Sequence, residues 1–484
     1  MPRTEIIPTP KQAELTGQAI LLDGSWGVID QSQTEGVAKV YTATFGVRAT
    51  QRKKTRNFLL QLDPKLGEEE HLLDVSQESV TITAASRRGF LQALSTLTQL
   101  RNGPLLTMAK VRDYPRLPMR GLQLMFESFL QMGAKEALGL ITSASKLKLN
   151  TILLEFGDRF PFEKHSVISS PSSLTRSELK QIIDLCDSRG IQTIPLLQSL
   201  GHLRYMLKHD EYADIREEMD RPDQMCPTNE RSFRMWTEMA EEVLSMFPGC
   251  KLMHIGADET RQLGVCPRCN EQAEKSGKGS LYLNHINKVC AWLVERGITP
   301  VIWDDILCAH PGIMDGLHES AWIMYWDYWT TSSPSPVVVI RYDMHGLYYD
   351  NNWNAEWRHE LSDATRSALD FFGHPVSMAD EITPEVHRVY GKYFGGQLPK
   401  FVRAFPYLEY YQEHGRRVIG GPTCSGNTSD WHALPDFPRY GANIKAFADR
   451  CIEAGAQGIV TTAWYNRPPE ILYHGLLSTA QFTW

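Results

Sequence analysis

Two adjacent carboxylates, Asp258 and Glu259, close the run His254-Ile-Gly-Ala-Asp-Glu259 directly after an apolar stretch over 252–255. Neighbouring side chains diverge, so such a pair can divide its labour. One group carries a proton to and from a reacting atom while the other stays ionised, provided their surroundings push their pKa values apart. Most Asp-Glu pairs are solvated acidic turns, so the pair needs company to mean chemistry. It has some. Apolar stretches also end in Glu155-Phe-Gly-Asp158, Gly201-His202, Trp303-Asp304-Asp305, Trp326-Asp327-Tyr328 and Trp464-Tyr-Asn466-Arg467.

The tryptophans supply a second signal. Nine of the twelve lie after residue 300, and Trp303, Trp326 and Trp464 each close an apolar run. A pyranose ring has C–H faces that stack on indole, while its hydroxyls seek carboxylates and amides. Core packing accounts for Trp236 and Trp292, which sit in helical patterns. Three indoles beside carboxylates fit a sugar pocket better.

The nine cysteines are scattered from Cys186 to Cys451, an odd set that suits reduced thiols in a cytosolic protein better than a disulfide framework. Cys266-Pro-Arg-Cys269 has metal-ligand spacing, but a structural zinc site needs two more ligands and no second such pair exists. A loop thiol pair or a local disulfide is the expectation, and no metal ligand set is assigned. No cofactor motif is present either.

The elements that must position these residues alternate. Apolar strands are expected over 121–126, 151–156, 191–197, 252–255, 301–304, 321–326, 418–423 and 458–464, with amphipathic helices between them. One helix opens at the capping box Thr175-Arg-Ser-Glu178 and stops at Gly190. Eight buried parallel strands with helices on the outside predict a (β/α)8 barrel, whose chemistry sits at the C-terminal strand ends. An open dinucleotide-binding sheet loses support because no GxGxxG follows an early strand. Residues 1–115 read as a small α+β domain, with strands near 58–60 and 80–83 and a helix over 86–100. A proline-punctuated connector over 111–118 leads into the barrel, which occupies 116–484. An insertion around 330–415 carries a further strand over 337–342.

Composition excludes other classes. With 484 residues, 42% of them apolar, there is ample core material, and 50 basic against 57 acidic residues give a net charge of −7. That balance argues against nucleic acid as a partner. No apolar stretch is long enough to span a membrane. The opening residues 1–12 lack the apolar core of a signal peptide, which again points to the cytoplasm. The oligomeric state stays open, a homodimer included.

The motif His254-Ile-Gly-Ala-Asp-Glu259 resembles the His-x-Gly-Gly-Asp-Glu signature of glycoside hydrolase family 20, the β-N-acetylhexosaminidases. Asp113-Tyr-Pro-Arg-Leu-Pro-Met-Arg120-Gly121, Leu149-Asn150-Thr-Ile-Leu-Leu and Ile194-Pro-Leu-Leu-Gln-Ser-Leu-Gly-His202 resemble the approach to the family's first barrel strand and its second and third strands. The wording around His202 and Glu259, with the Cys266/Cys269 pair, is most similar to the hexosaminidase D branch. The likeness runs from about residue 86 to the end.

This resemblance implies an exo-acting, retaining hydrolase of terminal β-linked N-acetylhexosaminides with no protein nucleophile, an exception to the two-carboxylate scheme. The substrate's own acetamido oxygen attacks the anomeric carbon. Glu259 would be the general acid and then the base, and Asp258 would hold the acetamido N–H. Arg120 would bind ring hydroxyls, Asp158 and His202 would support the acidic pair, and His254 would pack beneath it. Trp303, Trp326 and Trp464 would box the sugar. Either Tyr328 or Tyr348 would donate to the acetamido oxygen, with Tyr328 favoured because it follows a strand.

Two departures stand out. Ala257 replaces a glycine, and Asn466-Arg467 stands where the family has a carboxylate that grips outer hydroxyls. The second change opens the pocket to N-acetylgalactosaminides as well as N-acetylglucosaminides. A non-catalytic amino-sugar-binding protein would keep the indoles but has no use for the Asp-Glu pair. Another acetamido-dependent hydrolase would set its acidic pair in a different context.

Overall fold

The computed structural model describes residues 5–50, 55–127, 132–328, 330–331, 347–350, 373–376, 388–389, 392, 406–426, 435–464 and 469–484. Strands Met119–Met125, Thr151–Glu155, Gln192–Leu196, Leu252–His254, Thr299–Trp303, Trp322–Trp326, Val418–Gly421 and Gly458–Thr461 form a closed parallel barrel in chain order. The last strand pairs with the first, Gly458 opposite Met119. All eight overlap expected stretches; the first and fifth begin two residues earlier than expected, and the others are shorter by one to three residues.

The barrel is filled rather than hollow. Met119, Leu153, Ile194, Leu196, Leu252, Val301, Trp303, Met324, Ile419 and Val460 form an inner cluster. The alternate strand residues face outward into a second core beneath the helices, so both faces of each strand are buried and the strands read as continuous apolar runs. Helix Arg176–Ser188 begins as expected, the Thr175 side chain accepting from Glu178 N–H while Glu178 accepts from Thr175 N–H.

Residues 12–113 hold a separate eight-stranded sheet with helices Val37–Phe45 and Arg87–Leu100. The second helix lays Phe90, Leu94 and Leu97 on Phe58, Leu60, Val80 and Ile82. Its first turn is held by Ser86, whose hydroxyl accepts from Gly89 N–H. Strand Gln12–Leu21 is solvent-exposed along nearly its whole length. It pairs with Leu105–Asp113 at the sheet edge, and its mixed sequence, QAELTGQAIL, carries no regular apolar alternation that would reveal it. The strand expected over 337–342 lies outside the described residues. Among the described residues, strand Leu347–Asp350 pairs with Gly373–Val376 in a two-stranded sheet.

One expected site residue belongs to the fold instead. Arg120 is the second residue of the first barrel strand, at the end opposite to the chemistry. About five residues at roughly 3.3 Å each separate it from the C-terminal rim. Its fully buried guanidinium donates to the carbonyls of Lys148 (3.0 Å), Leu117 (2.9 Å) and Pro118, and pairs with Glu69 from the N-terminal sheet. It also lies over the Trp484 ring, 4.9 Å from its centroid. Lys148 and Asp113 form a second buried ion pair nearby. Arg120 therefore joins the two domains, and the assignment to sugar hydroxyls is corrected.

Candidate active site

Asp258 and Glu259 leave the fourth strand on a strained turn. Ala257, Glu259 and His202 all have left-handed backbone, with φ of 70°, 48° and 53°. For residues other than glycine this costs about 1 kcal/mol or more each, and such conformations gather where function needs them. The turn is held from several sides. Gln198 Oε1 accepts Ala257 N–H (3.3 Å), and Asp305 Oδ2 accepts Glu259 N–H (2.8 Å). Gly256 and Gly201 permit the close approach: a Cβ at Gly256 would fall 1.7 Å from Gln198 Oε1, and one at Gly201 would fall 2.6 Å from the Asp258 carbonyl oxygen. The φ of Ala257 also explains why the departure from glycine there is tolerable but not free.

His202 stands against both carboxylates. Its Nε2 is 3.3 Å from Asp258 Oδ2 and 3.6 Å from Glu259 Oε2. The Asp258 charge holds the imidazole protonated, its pKa raised to about 10 against the cost of burial. In return, burial opposes ionisation of Asp258, but the His202 cation and its hydrogen bond outweigh it and keep the carboxyl below the usual range. With Oδ2 so engaged, Asp258 Oδ1 is buried without a hydrogen-bond partner. Glu259 is more open, its side chain 30% exposed, and Oε1 meets Arg261 Nη2 at 2.9 Å.

His254 ends the fourth strand, four residues before Asp258. It is buried, its Nδ1 accepts Gly256 N–H (3.0 Å), and its ring packs 4.5 Å from that of Trp303. Burial lowers its pKa to about 3, so the ring is neutral.

The indoles expected at three strand ends meet. Trp303 and Trp464 lie 6.0 Å apart at 52°, and Trp326 stacks on Tyr328 at 4.9 Å and 29°. Trp464 Nε1 donates to Tyr328 Oη at 2.8 Å, closing the aromatic wall. Tyr328 is thus part of this cluster, whereas the side chain of Tyr348 lies outside the described residues. Asp304 and Asp327 are buried scaffolding: Asp304 Oδ1 accepts Trp326 N–H, and Asp327 Oδ1 accepts Thr330 N–H. Asn466 lies outside the described residues.

Asp158 is buried in the short helical turn Gly157–Arg159. It belongs to a carboxylate group whose other members sequence reasoning missed as site residues. Burial, then the Asp158 charge, raises the pKa of Glu127 to about 7. Burial, then the charges of Glu127 and Asp258, raises that of Glu155 to about 8. Glu155 Oε2 accepts from Gln123 Nε2 (2.7 Å), and Gln123 Oε1 accepts Ala463 N–H (3.0 Å), linking the second strand to the last. Glu127 follows the first strand just as Asp258 follows the fourth, and that position was the available signal.

The cysteine pair also needs correction: Cys266 and Cys269 are not alone, because Cys226 and Glu217 fold against them. All nine cysteines are free thiols.

Residues 146–381 match the model of the glycosyl hydrolase family 20 catalytic domain, and residues 3–114 match the model of that family's domain 2. The chain belongs to glycosyl hydrolase family 20. Among family relatives, it is 34% identical over 166 residues to hexosaminidase D of Bos taurus, covering 33% of this chain and 48% of that protein. It is 31% identical over 190 residues to hexosaminidase D of Homo sapiens, covering 38% of this chain and 39% of the relative. The chain thus spans less than half the length of these two curated relatives. The fold is shared with a β-N-acetylhexosaminidase structure from Bacteroides fragilis, which superposes with a TM-score of 0.70 at 16% identity, covering 99% of this chain and 90% of the other. Among the described residues, no helix is long and apolar enough to cross a membrane.

Proposed function

We propose that this family 20 protein is an exo-acting, retaining β-N-acetylhexosaminidase that removes terminal non-reducing β-linked N-acetylglucosamine, and N-acetylgalactosamine as well. The observation that carries the reading is Asp258 Oδ1, a buried carboxylate oxygen with no partner beside an aromatic wall. A buried anionic acceptor is costly unless something donates to it, and a substrate amide N–H is a donor of the right kind.

The chemistry follows from the groups at hand. The sugar's acetamido oxygen attacks C1, forming the C1–O bond of a cyclic oxazolinium ion as the glycosidic C1–O bond breaks. Glu259 delivers its proton to the departing oxygen, which leaves as an alcohol. Positive charge grows on the amide nitrogen, and Asp258, kept ionised by His202, stabilises it at short range. Tyr328 donates to the acetamido oxygen; because its own oxygen accepts from Trp464, its O–H is polarised and strengthened as a donor. Trp303, Trp326 and Trp464 hold the sugar face and acetamido methyl, while His254 and Asp158 support the acidic residues from below and beside. Water then attacks C1 from the face the leaving group vacated, Glu259 takes its proton, and the amide is restored with β configuration. No cofactor or metal takes part in these steps.

The test compares release of p-nitrophenol from aryl β-N-acetylglucosaminide, β-N-acetylgalactosaminide and plain β-glucoside. Turnover of both acetamido sugars with inertness toward the third is expected. Cleavage of the plain glucoside at a similar rate, or a covalent 2-deoxy-2-fluoro sugar trapped on an Asp or Glu, would overturn the mechanism.

A further inference from the structure

Beside the loop that carries Asp258 and Glu259 lies a second cluster, which the reaction does not use. Cys266 and Cys269 sit at the start of helix Pro267–Ser276, Cys226 precedes helix Glu230–Met246, and Glu217 follows the turn Asp210–Ile215. One ligand atom from each, three sulfurs and a carboxylate oxygen, lie within 4.8 Å of one another. Cys226 Sγ is 3.5 Å from Cys266 Sγ and 3.4 Å from Cys269 Sγ. We propose that Cys226, Cys266, Cys269 and Glu217 bind one zinc ion as a closed, structural site.

The donor set matches the ion. Four protein ligands rich in sulfur, with none left for water, describe structural rather than catalytic zinc. Zinc–sulfur bonds of about 2.3 Å in a tetrahedron place sulfurs about 3.8 Å apart, close to the spacing observed. A disulfide fits less well, since it would join two sulfurs at about 2.05 Å and strand the third.

Glu217 provides the independent observation. It is 2% exposed, and its Oε1 accepts the backbone N–H groups of Gly264 (3.0 Å), Val265 (2.8 Å) and Cys266 (3.1 Å). Its Oε2 is buried without a hydrogen-bond partner. Three amides thus aim a carboxylate whose second oxygen has nothing to accept, beside three thiols. A divalent cation satisfies that oxygen and replaces the thiol protons, which leave on binding. The surroundings suit the anionic ligands. Cys266 Sγ accepts Cys269 N–H (3.4 Å), Thr228 Oγ1 lies 3.2 Å from both Cys226 Sγ and Cys269 Sγ, and Arg268 Nη2 lies 3.9 Å from Cys226 Sγ.

The ion would clamp two catalytic loops. Its ligands Cys266 and Cys269 end the segment that begins at Glu259. Cys226 belongs to the loop after the third strand, which also carries His202. Gln262 N–H donates to Gln224 Oε1, so the two loops already touch, and Met225 N–H donates to Leu200 O within the loop after the third strand. A cross-link there holds the carboxylates and their imidazole in register.

The experiment measures metal in the purified full-length protein by plasma mass spectrometry after dialysis, and zinc K-edge absorption on the same sample. Near one zinc per chain is expected, with a shell of three sulfurs at about 2.3 Å and one light atom at about 2.0 Å. Cys266→Ser/Cys269→Ser protein should lose the metal. If that variant does not fold, the absorption spectrum of the parent decides alone. Removing zinc from the parent with a mercurial and a chelator should lower Tm, and adding zinc after thiol reduction should restore it. Less than a tenth of an equivalent of zinc with three thiols open to a disulfide reagent would overturn the site. So would a Cys266–Cys269 disulfide in peptide mapping, or iron in place of zinc.

Discussion

Asp305 Oδ2 accepts the backbone N–H of Glu259 at 2.8 Å, so a side chain just past the fifth strand fixes a left-handed residue in the turn that follows the fourth. Asp305 touches no reacting atom in the proposed mechanism; it positions one. Asp305→Ala should lower kcat by on the order of 10²-fold, the scale of an ångström of misplacement, with KM nearly unchanged. Asp305→Asn, which keeps an acceptor, should recover most of the rate. Steady-state kinetics on all three proteins checks this, and equal loss in both variants would assign Asp305 a role through its charge.

Glu259→Gln should leave the fold intact, because its side chain is partly exposed. Turnover of disaccharides with poor leaving groups should fall by about 10²-fold or more, as expected for loss of a general acid. Aryl substrates, which need little protonation, should lose much less in the first step. Parent-like hydrolysis of a natural disaccharide by the variant would remove Glu259 from the mechanism.

Asp258→Asn should slow both steps, since a neutral amide stabilises the positive nitrogen less than a carboxylate does. The ratio of inhibition by a thiazoline mimic of the cyclised sugar to inhibition by the free sugar should collapse in this variant, because tight binding of the mimic reports transition-state stabilisation. Retention of parent-like thiazoline affinity would contradict the role given to Oδ1.

Arg120→Ala should act on stability, not on sugar binding. Removing the guanidinium leaves Glu69 and three carbonyls short of a donor in the domain interface, a loss of roughly 3–5 kcal/mol for a broken buried pair. Denaturant unfolding should register it, while KM of the folded fraction stays at the parent value. A raised KM at parent stability would return Arg120 to the pocket.

The carboxylate group predicts a pH trend. Glu127 and Glu155 have folded pKa values raised to about 7 and about 8, so the folded state binds their protons more tightly than the unfolded chain. Their contribution is complete below about pH 4.5 and is lost as pH rises through 7 and 8. The raised pKa of His202 works in the same direction: its contribution is present below about pH 6.5 and disappears toward pH 10. Asp258 has the opposite sign, its stabilisation lost as pH falls below the ordinary aspartate range. Tm should therefore decline from pH 6 to pH 9. Glu155→Gln should flatten that decline, and a parent-like slope in the variant would refute the assignment.

The barrel was legible in the sequence because parallel strands buried on both faces are written as continuous apolar runs, and all eight runs became barrel strands. The acidic pair and the three strand-end tryptophans were legible for a related reason. A barrel puts its chemistry where strands stop, so position along a run already says which residues share a rim. Other relationships depend on closure in space. Arg120 sits in a motif beside that rim in sequence, yet strand direction carries it to the far end, where only the docked N-terminal sheet supplies Glu69. Glu127 and Glu155 look like ordinary strand-end acids until closure stacks them beside Asp158 and Asp258 and shuts out water. Strand Gln12–Leu21 is exposed along nearly its whole length and exists through its pairing with Leu105–Asp113. Cys226 lies 40 residues before Cys266, too far for ligand spacing to reveal. Sequence alone determined which residues lie at strand ends, because periodicity is a local property. Which of them face one another, and in what dielectric, was decided by the tertiary structure, because distance and burial are set by the closed sheet and not by the chain.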